Sequence, residues 1–226
     1  MSNFLSVAIG RKFIVSISGI FLMMFICVHL GANLLLIFDD SGELFNQGAN
    51  FMATNPFIKI VEPVLALGFL VHIIWTFYVS YLNYKARPVR YTTSNASCSS
   101  SWASRNMLVL GALVLVFLVI HLWNFYYIIK FNYESMLSTE IDGVVMHDTY
   151  TLVAGLFKAS MGYCIVYIIG GLLLGFHLSH GFWSSFHTIG FSNKIWISRL
   201  QFVGQIFAFI IAAGFTIIPL YFMIKF

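Results

Sequence analysis

The chain has 226 residues, of which 60% are hydrophobic and only 9% charged, with a mean hydropathy of +0.89. Soluble domains carry about a quarter charged residues, so this is the composition of an integral membrane protein. The net charge of +4 at pH 7 sits on too little soluble surface to form a nucleic-acid stripe, which excludes nucleic acid as a partner and leaves the lipid bilayer, with anionic headgroups, as its neighbour.

Five apolar stretches follow one another: Phe13 to Phe38, Phe57 to Tyr84, Asn106 to Phe131, Thr151 to Phe182 and Ile195 to Phe226. Each is long enough for a hydrocarbon core of ~30 Å, which takes about 20 helical residues. They are runs of Leu, Ile, Val and Phe, without the alternation of barrel strands. The expected fold is an all-α membrane protein, five transmembrane helices in one domain over 1–226. The first stretch follows Arg11-Lys12 and has no small-residue cleavage site, so it reads as a retained helix.

Charge placement orients the chain. With a cytoplasmic N-terminus, the inner side collects Arg11, Lys12, Lys85, Arg87, Arg90, Arg105, Lys194 and Arg199. The outer side collects every acidic residue, Asp39, Asp40, Glu43, Glu62, Glu134, Glu140, Asp142 and Asp148, with Lys59, Lys130, Lys158 and Lys225. That is the positive-inside arrangement. Cys27 and Cys164 fall within helices and Cys98 in the inner segment SNASCSSSWASR, so no pair shares an oxidising compartment and the thiols read as structural. The same Ser-rich segment is a docking surface for a partner.

Four of the helices each carry a histidine: His29 in FICVHLGANL, His72 in FLVHIIWTFY, His121 in FLVIHLWNFY and His177 in LLGFHLSHGF. An imidazole in lipid is costly unless it faces a partner. One alone is as well explained by a bond to a neighbouring carbonyl; four suggest two facing pairs, and the economical use of such pairs is axial ligation of two b-type haems. Counted from the inner ends of their helices, His29 and His121 lie about 24 Å along, in the outer half. His72 and His177 lie nearer the cytoplasm. Depth therefore pairs His29 with His121 at an outer haem and His72 with His177 at an inner one. His180, three residues on along the same face, competes with His177. His147 and His187 fall in the outer loop and at the inner surface, outside the ligand set. SGIFLMMFICVHL and LGALVLVFLVIHL form a weak repeat, with Gly19 and Gly111 each ten residues before a histidine, leaving room for close packing or a flat macrocycle.

The segments VHLGAN, FNQGANFMATNPFIKIVEP, VHIIWTFY, IHLWNFY and GFHLSHGFWSSF resemble the five-helix, diheme cytochrome b membrane-anchor subunit of succinate dehydrogenases and fumarate reductases, the succinate:quinone oxidoreductases. The resemblance covers nearly the whole chain; FNQGANFMATNPF and the helix-four pattern FH-x-S-x-G-x-W are its most specific parts. It implies a multi-pass subunit of a bacterial cytoplasmic membrane that anchors a flavoprotein subunit and an iron–sulfur subunit at the cytoplasmic face. It also implies two haems b, ligated by His29, His72, His121 and His177, and exchange of electrons with menaquinone or ubiquinone, and it allows an oligomer of the complex. The dicarboxylate chemistry falls to the partner subunits.

Quinone chemistry needs a titratable group near the carbonyl. Glu62, at the mouth of helix two in KIVEPVL, is the candidate for proton transfer, its alternative being an interfacial charge beside Lys59. Asn33, one turn after His29, is read either as a donor to quinone or as a bond to a neighbouring helix. Some fumarate-reducing relatives carry a glutamate two residues before the helix-four ligand, where this chain has Gly175. Arg11, Lys12, Arg105, Arg199, Ser16 and Ser18 are available to haem propionates, although surface anchoring explains the charges equally. Trp123, Trp183 and Trp196 read as an interfacial belt. The alternatives are the cytochrome b of a hydrogenase or formate dehydrogenase, which the helix-four pattern disfavours, and a proton-relaying transporter, which calls for carboxylates inside the spans.

Overall fold

A computed structural model describes residues 7–86, 101–191 and 193–226. Arg87, Arg90, Cys98 and most of the Ser-rich segment lie outside them. Among the described residues, five helices are long and apolar enough to cross a membrane, so the chain is an all-α, multi-pass membrane protein.

The first span, α1 (Ala8–Phe38), ends at Asp39, whose carboxylate accepts from the amides of Ser41 and Leu44, both at 3.0 Å, and turns the chain into α2 (Glu43–Thr54). The turn requires glycine at position 42: φ is +79°, and a Cβ there would lie 2.3 Å from the Tyr150 ring. Asn55 caps the second span, α3 (Pro56–Lys85), accepting from Phe57 N at 2.9 Å, with Pro56 in the first turn, where its missing N–H costs nothing. A short α4 (Trp102–Arg105) precedes the third span, which is interrupted: α5 (Met107–His121) passes through a π-helical turn at Leu122–Tyr126 into α6 (Tyr127–Phe131).

A hairpin follows, β1 (Ser138–Ile141) and β2 (Val144–His147), paired antiparallel with Ser138 opposite His147. Asp142 and Gly143 at the turn both have positive φ, 52° and 77°, the geometry that matches strand twist in two-residue hairpins.

The stretch expected to run unbroken from Thr151 to Phe182 is two helices. Thr149–Ala159 forms α7, Ser160 is extended, and the fourth span is α8 (Met161–Thr188). Asp148 starts α7, accepting from Thr151 N at 2.9 Å, and buried Asn46 ties α7 to α2 by donating to Asp148 and accepting from Tyr150 N at 2.8 Å. Hydropathy could not reveal the break, because α7 is apolar on the face that packs Val153, Ala154 and Phe157 into the core. The fifth span is α9 (Lys194–Lys225).

α8 and α9 pack along their lengths, with Gly175 so close to α9 that a Cβ would lie 2.6 Å from the Ala212 Cβ. α1 packs on α3, α8 and α9, and α5 packs on α8. α3 has its packing partners in α1 and α2, with no more than isolated approaches to α5 or α8. α1, α3, α5 and α8 thus border one crevice, across which neither α1 and α5 nor α3 and α8 pack on one another. The end where α1 begins, here the near end, carries Arg11, Lys12, Lys85, Arg105, Lys194 and Arg199; the far end carries the acidic residues, α2, the hairpin and α7. Cys164 is buried in the far-end core and Cys27 is exposed, both as free thiols.

Candidate functional site

The crevice brings the four histidines together in two pairs. His29 of α1 and His121 of α5 have ring centroids 5.6 Å apart with the planes at 86°. His72 of α3 and His177 of α8 have centroids 6.5 Å apart at 78°. Each pair spans two helices that do not pack directly on one another, so the rings meet across the crevice. As whole residues, all four are only partly buried.

The two glycines of the weak repeat acquire a physical role. A Cβ on Gly19 would lie 3.4 Å from His72 Cε1, and one on Gly111 would lie 3.6 Å from His177 Cε1. Each glycine therefore abuts a histidine of the near pair, and ten residues later the same helix supplies a histidine of the far pair. At 1.5 Å per residue both registers separate the two pairs by about 15 Å along the bundle.

The surroundings differ. Around the far pair, Phe25 stacks on His29 at 5.2 Å, and Phe117, Phe125 and Tyr167 ring His121 at 6.1, 5.4 and 6.1 Å. The π turn begins directly after His121 and carries buried Asn124, which donates to Tyr167 Oη at 3.2 Å; π insertions occur frequently at functional sites. At the near pair, Ser18 Oγ lies 3.1 Å from His72 Nδ1 and 2.8 Å from the Ile14 carbonyl. A hydroxyl has one proton, and the shorter contact to the carbonyl takes it. Ser18 then accepts from Nδ1–H, which places the lone pair of His72 on Nε2. His177 has a buried Nδ1 with no partner.

These pairs fit a metal that brings its own equatorial donors. Two metal–nitrogen bonds of about 2.0 Å plus the setback of each ring centre call for centroids about 6.3 Å apart, and the observed separations fall on either side of that value. Among the described residues no group of three or more His, Cys, Asp or Glu could hold a metal ion; a structural or catalytic zinc takes at least three protein ligands, whereas a tetrapyrrole supplies four nitrogens and leaves two axial positions.

The other candidates fall as follows. His180 lies against Trp183, ring centroids 4.9 Å apart, and the ring that faces His72 is His177. His147 packs on Tyr133 in the hairpin, and His187 occupies the last turn of α8 beside Trp183. Asn33 does not reach a neighbouring helix: its amide donates to the His29 carbonyl at 2.8 Å. The partner of Glu62 is not Lys59 but Lys130, at 2.6 Å, with Tyr126 Oη donating at 2.9 Å. This latch joins the far ends of the second and third spans, five and nine residues after His121, and the 68-residue separation of Glu62 from Lys130 hid it. Gly175 has no room for any side chain. Ser16 bonds back to the Lys12 carbonyl at 3.1 Å. A far-end cleft of about 530 Å³, lined among others by Trp123, Asn124, Asn132 and Thr151, opens between the third span and α7.

Comparison with known protein families, characterised proteins and solved structures gives no match for this chain.

Proposed function

We propose that this chain is a diheme cytochrome b and the membrane-anchor subunit of a succinate:quinone oxidoreductase. The observation that carries the reading is the pair of imidazole pairs, at 5.6 and 6.5 Å, stacked in one crevice. His29 and His121 would hold one haem b, His72 and His177 the other. Held by these four imidazoles, the haems would supply one-electron transfer and would offer no free ligand position to oxygen or substrate. The dicarboxylate reaction then belongs to a flavoprotein subunit, reached through an iron–sulfur subunit.

The remaining roles fall to side chains. Ser18 fixes the tautomer and orientation of His72, as outer-shell partners of metal-bound histidines do. The rings of Phe25, Phe117, Phe125 and Phe215 exclude water around the far pair. Glu62, held between Lys130 and Tyr126 at the far end, is the carboxylate positioned to take or give a proton to quinone there. The basic near end is the cytoplasmic, partner-binding face by the positive-inside rule. Succinate added to the complex purified through this chain should reduce its haem α-band and fumarate should reoxidise it. A haem-loaded complex that ignores both would overturn the assignment of donor and acceptor.

A further inference from the structure

Five buried side-chain polar atoms among the described residues have no hydrogen-bond partner: Trp75 Nε1, Thr76 Oγ1, His177 Nδ1, His180 Nδ1 and Thr216 Oγ1. Thr216 stands apart, on α9 against Gly171. The other four lie on α3 and α8, each at a near-pair histidine or within four residues of it towards the near end. An unpartnered N–H or O–H inside a membrane bundle is expensive, so a cluster of them at one level calls for a partner.

Thr76 is informative because a helical hydroxyl has a ready partner in the carbonyl four residues back. Ser16, Ser18, Ser185 and Thr188 all use theirs, at 3.1, 2.8, 2.8 and 2.9 Å. Thr76 does not bond the His72 carbonyl. Its hydroxyl and the indole N–H of Trp75 stand four and three positions after His72, respectively, on the face that carries it. Both groups donate, so the missing partner is an acceptor. It is not bulk water, from which these atoms are sealed. Nor is it a lipid headgroup, because Thr76 lies nine residues, about 14 Å, from the near end of α3.

We propose that Trp75 Nε1–H and Thr76 Oγ1–H form a carboxylate-binding cradle for the prosthetic group held between His72 and His177, donating to a propionate on its near-end edge. The inference rests on the diheme reading and refines it. Ser16 and Ser18, the hydroxyls the sequence offered for this role, are engaged by their own helix and, for Ser18, by His72.

The test reconstitutes the apo form of the full chain with haem b and, separately, with its dimethyl ester, which keeps the tetrapyrrole and loses the carboxylate charges. Trp75→Phe and Thr76→Val are compared with the native chain by the rate at which the near-pair haem passes to excess apomyoglobin. The far-pair haem, retained in both variants, reports that they fold. A hydrogen bond to a charged acceptor is worth about tenfold or more, so each variant should lose near-pair haem about tenfold faster than native, and the difference should shrink to about threefold with the dimethyl ester, whose carbonyl is a neutral acceptor of about half the strength. Equal rates with haem b, or the same acceleration with the ester, would overturn the cradle while leaving the diheme reading intact. A native chain that takes up no haem would overturn the diheme reading and the cradle with it.

Discussion

Replacing Ser18 by alanine tests the near pair through a residue that touches no cofactor. Ser18 Oγ is 3.1 Å from His72 Nδ1 and anchored 2.8 Å from the Ile14 carbonyl, so the variant removes an acceptor that holds the ring with Nε2 presented to the crevice. Loss of such an outer-shell partner costs about 10- to 100-fold in metal affinity. The ring keeps its packing against Gly19 of α1, which places Ser18→Ala at the lower end, about tenfold or 1.4 kcal/mol. His29 lies eleven residues further along α1, about 16 Å away, so the far pair is untouched. On the diheme reading, the less basic imidazole would also stabilise ferric iron less and so raise the reduction potential of the near-pair haem alone. A redox titration of the α-band, with haem retention followed in parallel, reads both effects, and Ser18→Thr should restore them. Equal effects on both haems, or none on either, would refute the reasoning.

Other perturbations bear on separate parts of the account. Gly175→Ala forces a Cβ to 2.6 Å from Ala212 Cβ and 3.3 Å from the Ala208 carbonyl; α8 and α9 must separate, and thermal unfolding in detergent should register a loss of about 1–3 kcal/mol, whereas Gly111→Ala, with its nearest atom at 3.6 Å, should be tolerated. Glu62→Gln removes a partly exposed ion pair with Lys130, so melting should shift by less than about 1 kcal/mol. Quinone-linked turnover, in contrast, should fall about 100-fold if the carboxylate transfers the proton; unchanged turnover would return Glu62 to a purely structural latch. Burial pushes the Asp148 carboxyl up, but hydrogen bonds from Thr151 and Asn46 outweigh it and hold it below the usual carboxylate range. A lowered native value stabilises above the unfolded value of about 3.9 and ceases to do so as pH falls through the native one. Asp148→Ala should therefore cost about 0.5–2 kcal/mol at neutral pH, and its melting deficit should shrink only below about pH 4.

The five spans were legible because ~30 Å of hydrocarbon demands long apolar runs, and no polar competitor blurs them. The proximity of His29 to His121 and of His72 to His177 was legible as depth, since a fixed rise per residue turns sequence position into height. What hydropathy could not resolve lies where apolar residues serve two purposes. The break at Ser160 is invisible because α7 buries its apolar face against the far-end core while lying outside the span. The Glu62–Lys130–Tyr126 latch joins residues remote in sequence, so Lys59 stood as the nearer partner on paper. Trp75 and Thr76 carry no signal in the sequence; only their buried, unpartnered donors single them out. The Gly–His spacing was visible as a repeat, but its meaning, each glycine lying against the histidine of another helix, required the packing of α1 on α3 and of α5 on α8.

The central claim is that two imidazole pairs hold two haems b, and pyridine haemochrome analysis of the purified chain tests it most directly. The account predicts two haems b per native chain, one and the same haem lost in His72→Ala and His177→Ala, the other lost in His29→Ala and His121→Ala, and both kept in His180→Ala. A well-folded native chain without haem, or the loss of a haem on changing His180 with none lost on changing His177, would contradict it.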